Sequence, residues 1–111
     1  MSRTSIEVIE SLINSYSCEL RLKTIHEPEP AGWCRWIIQP VPGYIESSTA
    51  GPCPAYEVEW VDINPIVTIH IGRLVKDKYV NYQAELEAQL TAARVAWQHI
   101  DGLLRIHLLH S

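Results

Sequence analysis

The chain predicts an α+β fold: a single domain over residues 1–111, built on an antiparallel sheet of four to five strands with an N-terminal helix and a long C-terminal helix, in the order α-β-β-β-β-α-(β). Three observations carry that expectation. A capping box, Thr4-Ser5-Ile6-Glu7, opens a stripe of apolar residues at helical spacing. The middle of the chain alternates apolar and polar residues with a period of two. A second helical stripe, longer than the first, begins near residue 82.

The first helix is expected over 5–16, where Ile6, Ile9, Ile13 and Tyr16 share a face that Val8 and Leu12 widen. Residues 18–24, Cys-Glu-Leu-Arg-Leu-Lys-Thr, then alternate as a strand with one buried and one wet face. Six of the seven prolines fall between residues 26 and 54, as Pro28/Pro30, Pro40/Pro42 and Pro52/Pro54. They read as strand edges and entries, with a Pro-rich loop at about 40–55. Residues 33–39 read as a strand with Cys34, Trp36 and Ile38 on one face and Trp33, Arg35 and Ile37 on the other. Residues 56–72 read as a hairpin that sets Tyr56 opposite Ile71, Val58 opposite Ile69 and Trp60 opposite Val67, with Glu57 facing His70 on the other side.

The second helix is expected from Asn81 as N-cap to about Asp101. Its large residues are Tyr82, Leu86, Leu90, Ala93, Trp97 and Ile100; a separate row of small ones runs through Ala84, Ala88, Ala92 and Ala96. Small residues let another helix approach closely, either residues 5–16 or the same helix of a second copy. Asp101-Gly102 reads as a turn or helix cap, and the alternation of Leu104, Ile106 and Leu108 favours a short last strand.

Composition removes several function classes. Thirteen acids against nine bases leave a formal charge of -4, which argues against a general phosphate-backbone binder. Helix–sheet–helix order is that of double-stranded-RNA-binding domains, yet those need a lysine cluster opening the second helix, and here that segment is Tyr79-Val-Asn-Tyr-Gln-Ala-Glu. No apolar run is long enough to span a bilayer, so no membrane association is expected. The N-terminus places acids where a signal peptide needs an apolar stretch, and the expectation is a cytoplasmic protein. Cys18, Cys34 and Cys53 are then free thiols; a Cys34–Cys53 disulfide would require export. The five glycines form neither a dinucleotide fingerprint nor a Walker loop, so no cofactor is expected.

For chemistry, Glu57 and His70 are the weak candidates, because a carboxylate beside imidazole can orient it as a general base. No nucleophile elbow accompanies them, and an exposed cross-strand ion pair accounts for them equally well. His107 and His110 have a metal-compatible spacing on a helix that a strand would break, and no metal site is expected. Four tryptophans are a high load, and Trp33 and Trp36, on opposite strand faces, cannot enter one core together. The expected function is therefore non-enzymatic: a protein-interaction or assembly subunit that binds a protein partner, itself first of all. Trp33, Trp36, Ala84, Ala88, Ala92 and Ala96 are the candidate interface residues. The competing expectation is a small enzyme or ligand-binding domain with an aromatic pocket near Glu57 and His70.

Overall fold

A computed structural model describes residues 4–108. The order is α1 (Ser5–Tyr16), β1 (Glu19–Thr24), β2 (Ile37–Ile38), β3 (Tyr44–Ser47), β4 (Cys53–Pro54), β5 (Val58–Asn64), β6 (Ile66–Ile69), β7 (Lys78–Asn81), α2 (Gln83–Ala92), β8 (Gln98–Ile100) and β9 (Leu103–His107), with one 3-10 turn at Ala55–Glu57. Among the described residues two helices and nine strands thus replace the expected α-β-β-β-β-α-(β) order, and the strands divide among three sheets. The largest has four strands in the order β1-β5-β9-β8; β2-β3-β4 and β6-β7 form the others.

Helix α1 forms where the capping box places it. Thr4 Oγ1 accepts from the Glu7 amide at 3.2 Å, and the helix ends at Ser17 in the left-handed region, φ 57°. Its Ile6, Val8, Ile9, Leu12 and Ile13 are buried. They meet the inner face of the large sheet, where Leu22, Val61 and Ile106 form one cross-strand row and Leu20, Ile63 and Leu104 the next. Leu86 and Leu90 of α2, with Ile37 and Ile45 of the small sheet, complete the same core.

The expected hairpin over 56–72 does not form. Strand β5 is the inner strand of the large sheet, paired with β1 on one side and β9 on the other, so neither edge is left for residues 66–72. Strand β6 pairs instead with β7, Ile66 opposite Asn81 and Ile69 opposite Lys78. The assumed phase also breaks, because the β1–β5 register shifts between Lys23 and Thr24, which face Trp60 and Val58 with Glu59 as the extra residue. Val58 faces the core, and after this bulge Trp60 lies on the opposite face of the sheet.

The strand expected over 33–39 shrinks to Ile37–Ile38, preceded by a single bridge between Cys34 and Leu20. Cys34 and Ile37 are both buried, and positions three apart cannot share a face of a straight strand. Most of residues 40–55, expected as a loop, frames the short strands β3 and β4.

The long C-terminal helix is also corrected: α2 has ten residues. Arg94 adopts φ 61° and donates to the Thr91 carbonyl at 3.0 Å, while the Val95 amide reaches the Leu90 carbonyl at 2.9 Å. Those paired bonds are a Schellman ending, and buried Val95 and Leu90 supply its apolar contact. Residues 98–107 then form a hairpin around Asp101-Gly102, both with positive φ, 50° and 80°. The Asp-Gly pair that suits a helix cap serves here as the hairpin turn.

Candidate functional site

Glu57 and His70, the sequence-derived acid–base pair, are not partners. Glu57 Oε1 lies 3.2 Å from His26 Nε2, and His70 Nδ1 lies 2.9 Å from Asp77 across the β6–β7 ribbon. Loss of the hairpin removes the geometry that joined them. Among the described residues no group of three or more His, Cys, Asp or Glu could hold a metal ion. His110 lies outside the described residues.

Trp33 and Trp36 are both partly open, at 37% and 38% exposure, because the chain between them is irregular rather than a strand with two opposed faces. Trp33 lies over the Arg21 guanidinium at 4.8 Å. Ala84, Ala88 and Ala92 form an exposed row on α2, while Ala96 lies beyond the helix and is also exposed. Helix α1 approaches α2 on a different side: Tyr16 meets Tyr82 with ring centroids 4.9 Å apart and planes tilted by 53°, and a recess of about 150 Å³ runs between Ser11, Ser15, Gln89 and Ala93.

Two features that the sequence either misplaced or did not show are more distinctive. The first is the β6–β7 ribbon. Residues 66–81 leave the body after Pro65 and return at Tyr82, whose amide donates to the Pro65 carbonyl at 2.9 Å. The ribbon bears Ile66, Ile69, Ile71, Leu74, Val75 and Tyr79 as exposed large apolar residues, with Leu74 at its tip fully exposed. Cross-strand pairing puts Val67 and Val80 on one face and Ile66 and Tyr79 on the other. At the base, an open recess of about 270 Å³ lined by Ser17, Glu19 and Arg35 separates strand β6 from the body. Sequence alternation did flag these residues, but it assigned Val67, Ile69 and Ile71 to a core face.

The second is the outer face of the large sheet. Register places Arg21, Asp62, Arg105 and Gln98 in one row across its four strands. Asp62 is fully buried; Arg21 Nε donates to it at 3.1 Å, Arg105 Nε at 2.7 Å and Arg105 Nη2 at 3.0 Å. The Arg105 guanidinium lies 3.7 Å from the Trp60 ring centroid, an arrangement that suits cation and π-face. Its hydrogen bond with Asp62, the largest influence, holds the Arg105 proton more tightly than in a free arginine. In the next row Lys23 Nζ donates to Glu59 at 2.6 Å. The bulge at Glu59, which turns Trp60 onto this face, hides the cluster from a period-two reading.

The three cysteines are free thiols, and burial pushes the Cys18 thiol up to about 11. Cys53 is raised as well, by burial and then by the Glu57 charge. Neither environment activates a nucleophile.

Among the described residues no helix is long and apolar enough to cross a membrane. Neither a curated protein nor a solved structure matches this chain. A family model does match, over residues 6–108, which takes in every strand and helix of the core together with the ribbon. On that extent of agreement the chain belongs to DUF6678, a family of unknown function.

Proposed function

We propose that this protein is a non-enzymatic assembly subunit that self-associates through the β6–β7 ribbon. The observation that carries the reading is the ribbon itself. A lone two-stranded ribbon is marginally stable in water, and this one displays apolar side chains on both faces. Exposed apolar surface of that kind marks an interaction site.

Charge argues that the occupant is a second copy. Residues 66–81 hold three of the nine bases and one of the thirteen acids, a formal +2 that leaves -6 on the rest of the chain. A basic, apolar arm therefore faces an acidic body in every other copy, which favours encounter and orients it. Open strand edges on β6 and β7 add unpaired backbone groups suited to pairing between chains. Both partly open tryptophans and the alanine row are further apolar surface for such an assembly.

The test is size-exclusion chromatography with light scattering on the full chain and on a Leu74→Asp/Ile71→Asp variant. Wild type should form a discrete oligomer. The variant should run as a monomer with an unchanged far-UV spectrum, because neither side chain contributes to the core. A wild-type chain that remains monomeric at all accessible concentrations would overturn the reading, as would a variant that still assembles.

A further inference from the structure

We infer that the recess beside β8 binds a small aromatic carboxylate. Ala96, Trp97, Gln98, Arg105 and His107 line this recess, which has a volume of about 220 Å³. That is smaller than the pockets of drug-sized ligands, which begin at about 300 Å³, so its ligand is small.

Arg105 supplies the anion recognition. Its Nε and Nη2 are committed to Asp62 and one face of its guanidinium lies against Trp60, so the group is fixed in place before any ligand arrives. The remaining terminal nitrogen, Nη1, has no bond to a described residue. No buried side-chain nitrogen or oxygen among the described residues lacks a partner, so Nη1 reaches solvent. The charge on this group is incompletely compensated, because the single Asp62 carboxylate serves Arg21 and Arg105 together. Glu59 is occupied by Lys23, and Asp101 lies in the turn at the other end of β8.

The other walls define the body of the ligand. Trp97 is anchored by its indole N–H to Thr91 Oγ1 at 3.0 Å and lines the recess, with Ala96 adding a second apolar contact. Gln98 and His107 stand within hydrogen-bond distance of each other, 2.9 Å, as a polar rim without a carboxylate. A carboxylate on Arg105 with a ring against Trp97 satisfies both parts of the site. Binding would involve no covalent step.

The probe is benzoate, titrated into the full chain and followed by NMR at the Trp97 indole N–H and the His107 ring, with benzamide and inorganic phosphate as comparisons. Benzoate should shift both resonances saturably. Benzamide, lacking the charge, should bind at least about tenfold more weakly, and phosphate should leave Trp97 unmoved. Ala96→Phe places a ring in the recess from an exposed position and should abolish the benzoate response without changing the fold. Arg105→Lys should weaken it, but that variant also disturbs Asp62, so Ala96→Phe carries the test should it fail to fold. No saturable benzoate shift, equal binding of benzamide, a Trp97 shift with phosphate alone, or undiminished binding to Ala96→Phe would each overturn the inference. The Leu74→Asp/Ile71→Asp chain should still bind benzoate, which separates this result from the fate of the assembly proposal.

Discussion

Asp62 holds a full charge with no exposed surface, a position tolerated only because two guanidinium groups share it. Removing that carboxylate leaves Arg21 and Arg105 facing each other across the middle strand with nothing between them. Both side chains keep 20–26% of their surface in water and can partly rehydrate, which softens the loss. Asp62→Ala should therefore lower stability by about 2–3 kcal/mol, below the roughly 3–5 kcal/mol of a fully buried pair, as read by the urea midpoint. Lys23→Ala, which breaks a pair whose Glu59 partner keeps 42% of its side-chain surface in water, should cost less than about 1 kcal/mol in the same assay. None of this cluster was legible beforehand. Asp62 follows Val61 in the sequence and precedes Ile63, Asn64 and Pro65, so its residue type reads as part of a turn. Only the alignment of Arg21 and Arg105 on either side of it reveals a buried ion triad.

Among the elements, α1 was legible because its signals are local. A capping box and an apolar stripe act within one short segment, and the bonds that they predict are the bonds observed. The end of α2 was not. Ala93, Trp97 and Ile100 continue a helical phase, yet the Schellman bonds at Arg94 and Val95 stop the helix and free residues 98–100 to pair with β9. Pairing sets His99 opposite buried Leu104 and adds a fourth strand to the sheet, a long-range contribution that helical spacing cannot register. The β8–β9 turn depends on Gly102, whose φ of 80° burdens any side chain even though open space surrounds the position. Gly102→Ala should cost about 1 kcal/mol in thermal or urea unfolding, while Asp101→Gly, at φ 50°, should be near neutral.

At the scale of the whole molecule, the principal extents are 47, 29 and 26 Å. The ribbon leaves and rejoins the body at the hydrogen-bonded pair Pro65 and Tyr82, so its two ends already meet. Replacing residues 67–80 by a short Gly-Ser link should preserve the far-UV and near-UV spectra of the core and reduce stability only modestly, through the partly buried Val67. The same deletion should abolish self-association under the proposed function. A collapse of the core on deletion would mean that the ribbon is structural.

The sequence by itself determined the first helix, the strand after it, a last strand alternating into the core, three thiols without a metal-binding pattern, and the excess of apolar residues over what one small core requires. Each depends on neighbours in the chain or on composition alone. Tertiary structure decided where the excess went: not to a hairpin face over 56–72 or a long second helix, but to a ribbon held out from the body and a tryptophan laid on an arginine. The physical reason lies in β5. Any of several strands could pair with it, and its two edges went to β1 and β9 because those partners complete continuous buried rows on either side of Val61 and Ile63. Competition between distant segments for one strand's edges is a property of the assembled core, and no window of local sequence contains it.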